Sequence, residues 1–164
     1  MPLMDPDKHV GNGAVHARPA CTCGSLRKAS RRVSHFYDVA LAPIGIKSTQ
    51  FAILSEVERG GAGGALTMCE LATAMVMDRS TLGHNLRPLE RDSLVTLRRS
   101  PADGRKRHVV LTRKGVQLLR RARQSWRRAE DRFEQVFGKR SAAQLRSVLL
   151  AIADNPGLNP RGAH

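Results

Sequence analysis

Aromatic residues are scarce in this chain: one Trp, one Tyr and four Phe make up 4% of its 164 residues. Proteins that hold single-stranded RNA stack its bases on exposed aromatic rings, so the scarcity weighs against a base-stacking surface. A basic RNA-binding or ribosome-associated protein is the alternative reading of the composition. The three cysteines, Cys21, Cys23 and Cys69, are an odd number, which argues against a structural disulfide framework. With the scattered His9 and His16 they supply no second closely spaced ligand pair, so neither a zinc site nor any other cofactor is expected. No apolar run approaches the roughly 18 residues of a membrane span, and the N-terminus lacks the apolar core of a signal peptide. A cytoplasmic protein without a membrane partner is expected. Catalytic patterns are absent as well: there is no Ser/His/Asp order with a nucleophile elbow, no paired metal ligands, and no glycine fingerprint after a strand. The glycine-rich stretch 60–64 lacks the Lys-Ser/Thr of a phosphate cradle and reads as a connector. An enzyme is not expected.

Acidic residues are also few. Asp and Glu number 14 against 28 Lys and Arg, a formal charge of +14. The excess is concentrated: Arg87 to Arg132 holds fifteen basic and five acidic residues. Neutralising phosphates releases condensed counterions, so such a stripe favours a polyanionic partner, with nucleic acid first and an anionic membrane surface second.

Within and before this stripe the hydrophobic pattern is specific. Thr67 with Glu70 three residues on is a capping box, and Met68, Leu71, Ala72 and Met75 recur at helical spacing. Val76 and Met77 interrupt, Asp78 supplies a second N-cap, and Leu82, Leu86 and Leu89 mark a second helix. With the leucines inward, about 100° per residue puts Ser80, His84, Arg87 and Arg91 on the opposite face, beside Gly83. Pro88 lacks a backbone donor and is expected to kink this helix or end it at Arg87. Leu94 to Leu97 and His108 to Leu111 then read as two strands joined by a turn from Pro101 to Arg107. Two helices joined by a short turn and followed by a basic hairpin form a winged helix-turn-helix, with the second helix in the major groove and the wing at the minor groove.

The flanks are helical. Residues 1–20 read as a mobile arm, containing Pro2, Pro6, Gly11, Gly13 and Pro19 without apolar periodicity. A helix from Cys21 or Cys23 carries Leu26, Ala29, Val33, Phe36 or Tyr37, Ala40 and Leu41, and closes at Pro43 and Gly45. Another opens at Lys47 to Thr49, with Phe51, Leu54 and Val57 inward, and ends at Gly60. Thr112 caps a helix of roughly 25 residues ending at Gly138, nearly 40 Å long and too long to bury its stripe on one small domain. Ser141 with Gln144 is a further capping box, opening a last helix with Leu145, Val148, Leu149 and Ile152 before a stop at Asn155 to Gly157. The expected fold is mainly α with a small β-hairpin: a winged domain over 21–154, its reading head at about 65–111, and a mobile tail over 155–164. The spare apolar faces at both ends suit a homodimer serving two half-sites of a pseudo-palindromic double-stranded DNA operator about one turn apart.

That order of elements resembles the MarR (multiple antibiotic resistance regulator) family of transcription factors over about Cys23 to Ile152. The most specific matches are Asp78-Arg79-Ser80-Thr81-Leu82, Leu89-Glu90-Arg91-Asp92-Ser93-Leu94-Val95, and Asp103-Gly104-Arg105-Lys106-Arg107 running into Leu111-Thr112. The resemblance implies a homodimeric, ligand- or oxidant-responsive regulator, most often a repressor. It also implies a wing arginine, Arg105, entering the minor groove and held by Asp103. Position in the first turns of the second helix makes Arg79, Ser80, Thr81, His84 and Arg87 the candidate base-reading residues. Arg98, Arg99, Lys106, Arg107, Arg113 and Lys114 are candidates for phosphate contacts.

Two sensor schemes follow. Cys21 and Cys23 start a helix, where the dipole favours a thiolate, and Arg27 lies one turn beyond Cys23. The stretch Cys23 to Tyr37 resembles the organic-hydroperoxide-sensing branch of the family, whose reactive cysteine falls on Cys23 and whose thiol-binding tyrosine falls on Tyr37. The other tyrosine positions of that branch are Arg27 and Ser48 here, so the pocket departs from its pattern. The competing scheme is a small anionic or aromatic effector, with His35, Tyr37, Phe51 and Trp126 as candidate lining. Cys69, between apolar helix positions, is expected to be packed.

Overall fold

The computed structural model describes residues 21–61, 65–99 and 106–158. Six helices and one hairpin follow in order: α1 (Thr22–Leu41), α2 (Ser48–Gly61), α3 (Met68–Ala74), α4 (Arg79–Arg91), β1 (Val95–Arg99), β2 (Arg107–Leu111), α5 (Arg113–Phe137) and α6 (Lys139–Ala153). Short 3-10 turns follow α1 at Ala42–Ile44 and α6 at Pro156–Leu158. Part of the expected tail is therefore a turn, which Asn155 supports by accepting the Gly157 N–H at 2.8 Å. By internal packing, the first turns of α1, up to Arg32, separate from the body that begins at Val33. Among the described residues, no helix is long and apolar enough to cross a membrane.

The body is held by one cluster. Leu41, Ile53, Leu54, Leu71, Leu82, Leu89 and Leu119 are wholly shielded from solvent, and Phe51, Val57, Leu86, Leu94, Val95 and Val109 join them. Apart from Leu41 at the end of α1 and Leu94 just before β1, these are the inward positions of α2 to α5 and of the hairpin, so helical and strand periodicities converge on one interior. The hairpin is antiparallel, pairing Val95 with Leu111 and Arg99 with Arg107. A third segment adds to it: Thr67 bridges to His108, and the Val109 N–H donates to the Leu66 carbonyl at 2.9 Å.

The local signals act as expected at most helix starts. Thr67 makes both halves of its capping box with Glu70, and Thr112 accepts the Gly115 N–H at 3.0 Å. Gly138 ends α5 with φ 82. Two expectations for α3 and α6 fail. Ser141 does not cap α6, which starts two residues earlier at Lys139, because the left-handed turn at Gly138 already redirects the chain. Cys69 is exposed and not packed, because Leu71 and Ala72 carry the buried face of the one short helix they share.

Candidate nucleic-acid interface

Two successive N-caps define the helix-turn-helix. After α3, the chain reverses through Val76 in the left-handed region, φ 50, with the Met77 N–H donating to the Ala72 carbonyl at 2.9 Å. Asp78 then caps α4, accepting the Thr81 N–H at 2.8 Å and the Thr81 hydroxyl at 2.6 Å. Both bonds hold the Asp78 carboxyl below the usual carboxylate range, the hydroxyl contributing most. Thr67 does the same for Glu70, through its backbone N–H and then its hydroxyl. These charges sit at helix N-termini, where the dipole favours an anion.

The α4 helix divides by face as its leucines require. Leu82, Leu86 and Leu89 are buried, while Arg79, Ser80, Thr81, His84 and Arg87 are exposed. Four of these five candidate base readers present free side-chain groups outward, whereas the Thr81 hydroxyl proton is committed to Asp78. Asn85, which the sequence did not single out, turns back to donate to the Thr81 carbonyl at 2.8 Å. A Cβ on Gly83 would meet nothing within 4 Å, so packing does not require the glycine. Its open backbone lies between Ser80 and His84, where close approach of a groove is unobstructed.

Pro88 does not end the helix at Arg87: α4 runs on to Arg91. The burial of Leu89 and the bonds from the Asp92 N–H to the Pro88 carbonyl (3.0 Å) and from the Leu94 N–H to the Leu89 carbonyl (2.8 Å) hold the last turn. Tertiary packing thus outweighs the one missing donor. Arg91 stays exposed and pairs with Asp92 at 3.0 Å, which lowers the Asp92 carboxyl.

The wing begins one left-handed step later, at Ser93, φ 56. Arg98, Arg99, Lys106 and Arg107 are exposed at its outer end, so four cations flank the tip. Asp103 and Arg105, the expected minor-groove pair, lie outside the described residues. Contacts among the described residues tie the wing and α4 to α5: the Thr112 hydroxyl donates to the Ser93 carbonyl at 2.7 Å and reaches the Leu94 carbonyl at 3.3 Å, Lys114 Nζ donates to the Asp92 carbonyl at 2.8 Å, and the Thr112 N–H to the Leu94 carbonyl at 3.1 Å.

The candidate effector residues do not all come together. Trp126 stacks between Tyr37 and Phe51, with ring centroids 4.1 and 4.5 Å away, so these three rings fill the space against one another. His35 is exposed and stands apart from that stack, since it lies on the outer side of α1 from Tyr37. The Tyr37 hydroxyl donates to Glu130 at 2.5 Å, and Arg146 of α6 bonds Glu130 and also Glu134, the latter at 3.1 Å. Burial first, then the Glu130 bond, pushes the Tyr37 hydroxyl well above its ordinary value. Cys21 and Cys23 are both free and exposed. Among the described residues, no group of three or more His, Cys, Asp or Glu could hold a metal ion.

A polar helix face beside a basic hairpin, on a frame of two capped helices, defines a winged helix-turn-helix DNA-binding protein. Comparison with known proteins assigns the particular family. A model of the MarR family matches residues 44–106. The HTH-type transcriptional regulator PecS of Dickeya dadantii (strain 3937) is 26% identical over 137 residues, covering 82% of this chain and 81% of PecS. Among solved structures, the Mycobacterium tuberculosis transcriptional regulator MosR in complex with DNA is 31% identical with a TM-score of 0.72, over 82% of this chain and 94% of that one. The transcriptional repressor CouR bound to a 23-mer DNA duplex is 30% identical with a TM-score of 0.73, over 81% and 92%. CouR has also been solved bound to p-coumaroyl-CoA, with 28% identity to this chain and a TM-score of 0.72 over 82% and 93%. The chain belongs to the MarR family of DNA-binding transcriptional regulators.

Proposed function

We propose that this regulator is a homodimeric repressor that reads a pseudo-palindromic operator in double-stranded DNA. One observation carries the reading: the outward face of α4 presents Arg79, Ser80, His84 and Arg87 with no aliphatic side chain among them, next to a hairpin with Arg98, Arg99, Lys106 and Arg107 at its end. Hydrogen-bonding and cationic groups of this kind suit base edges in the major groove, and the wing cations suit phosphates. Arg105, held by Asp103, is the proposed minor-groove residue. Dimerisation is supported by apolar side chains that one chain leaves bare: Val136 is 64% exposed and Leu150 62%, with Phe137, Val148 and Leu149 beside them in sequence on α5 and α6. A regulator of chromosomal promoters of this kind works in the cytoplasm.

Selection of duplexes from a random pool tests this directly. The expected product is two half-sites about one helical turn apart, bound by a species that sediments as a dimer. A monomer in solution, or no preference over random DNA at physiological salt, overturns the reading.

Release by a small anionic or aromatic effector is the favoured signal, because CouR, a relative at 28% identity, has been solved with an aromatic acyl-CoA. Trp126, the one tryptophan, sits in the aromatic stack, so an effector that displaces or inserts beside these rings is expected to change its fluorescence. Phenolic and carboxylate compounds are expected to quench it and to raise the melting temperature, and a flat screen counts against this signal. Oxidation of Cys23, alone or through Cys21 or a partner-chain thiol, is the second reading, supported by the exposure of both sulfurs. DNA binding by Cys23→Ser before and after peroxide tests it, and a response equal to the wild type's removes it.

A further inference from the structure

The long helix α5 carries a pattern that continues well beyond the reading head. Basic pairs recur every seven residues, at Arg113-Lys114, Arg120-Arg121 and Arg127-Arg128, with Gln117 and Gln124 between them. Seven residues are close to two helical turns, drifting only about 20°, so the pairs form a nearly straight row with a repeat of roughly 10.5 Å. All eight side chains are exposed. The opposite side of the helix is the packed one, through Gly115, Leu119, Ala122 and Ala129. Among the described residues, Arg120, Arg121, Arg127 and Arg128 have no ion-pair partner, whereas Arg123, on the packed side, is bound to Glu58. From Arg113 to Arg128 the outer face holds no acidic, apolar or aromatic side chain.

We infer that the part of this row from Arg120 to Arg128 is a second, sequence-independent docking surface for duplex DNA, separate from the reading head. Its composition selects the partner. Guanidinium groups and amides bind phosphate oxygens through fixed N–H forks, and a rigid helix holds them in register. Without rings to stack on unpaired bases, the face suits a closed duplex and not a single strand. Without apolar residues to enter an acyl boundary, it does not suit a bilayer.

Its placement separates it from the DNA under the reading head. The base-reading residues of α4 run from Arg79 to Arg87, and Lys114 bonds the Asp92 carbonyl beyond the last of them, about 7 Å further along that helix. Beyond its first turn, α5 leaves the head to pack on α2 through Arg123, on Phe51 and Tyr37 through Trp126, and on α6 through Glu130. Arg120 to Arg128 therefore lie on the part of α5 that packs against α1, α2 and α6, away from its contacts with α4 and the wing, and are left for a second segment of DNA. This bridging rests on the DNA-binding role of α4 and the wing.

Protein saturated with the duplex it selects from a random pool is titrated with a labelled random-sequence duplex of about two helical turns, across a range of salt. A salt-sensitive ternary complex is expected. The fourfold variant R120Q/R121Q/R127Q/R128Q, with an unchanged melting temperature, is expected to keep operator affinity within about twofold and to lose the second duplex by about tenfold or more. No ternary complex with the wild type, equal ternary binding by the variant, or capture of an RNA hairpin in preference to the duplex overturns the inference. If no operator is selected, the regulator reading fails by itself. The free protein is then titrated with random duplex, and equal affinity of variant and wild type sinks the α5 surface independently.

Discussion

Residue 115 lies against the carbonyl of Leu94 so closely that a Cβ there would sit 2.0 Å from the oxygen. The first turn of α5 is thus pressed onto the start of β1, with the hydroxyl of Thr112 bonded across the same gap to Ser93. No rotamer relieves a clash with backbone, so Gly115→Ala must move either the helix or the wing. We expect a loss of about 2–3 kcal/mol, seen as a fall in melting temperature of roughly 5–10 °C for a chain of this size. DNA affinity is expected to fall further than Tm alone explains, because the wing moves relative to α4. A variant as stable as the wild type would mean that the contact is not close.

Val76 is β-branched, 70% exposed, and held at φ 50 in the turn between the two helices of the reading head. A left-handed backbone costs an ordinary side chain about 1–2 kcal/mol, and glycine nothing. Val76→Gly is expected to gain about 1 kcal/mol in denaturant unfolding after its own chain entropy is counted, with the operator sequence preference unchanged. A destabilised variant would show that the Val76 side chain makes a contact worth more than the strain.

Tyr37 favours its neutral form in the folded state, first through burial and then through its bond to Glu130. Its folded value is raised, so the stabilisation is complete below the unfolded tyrosine value of about 10 and is lost as pH rises above it. Tyr37→Phe is expected to cost about 1.5–3 kcal/mol at neutral pH, the worth of a hydrogen bond to a charged acceptor. Its difference from the wild type should shrink above about pH 10, measured by urea unfolding as a function of pH. A constant difference would remove the coupling between this hydroxyl and Glu130.

Base-reading and phosphate-binding side chains are expected to differ in their signatures. Arg87→Ala or His84→Ala should cost about 1–3 kcal/mol on the preferred operator and relax preference at one position of the half-site. Arg98→Ala or Lys106→Ala should weaken all duplexes alike and reduce the slope of log K against log salt by about 1. Uniform weakening by Arg87→Ala and His84→Ala would remove α4 as the base-reading helix.

Most of the scaffold was legible in the order of residues, because it depends on local chemistry. Caps at Thr67, Asp78 and Thr112, leucines at helical spacing through α4, and the glycine after α5 act within one or two turns of the chain. The two-fold period of the strands and the outward polar face of α4 follow from the same short-range geometry. What tertiary packing decided lies at longer range. Pro88 stays helical because Leu89 is buried, Cys69 is exposed because its neighbours own the buried face, and Leu66 joins the hairpin through a bond to Val109. The closing of three rings on one another, the engagement of Tyr37 by Glu130, and the need for glycine at 115 join residues far apart in the chain. Periodicity and capping report what a segment prefers by itself. Only the folded chain brings distant segments within van der Waals and hydrogen-bonding distance, where these preferences are overridden or used.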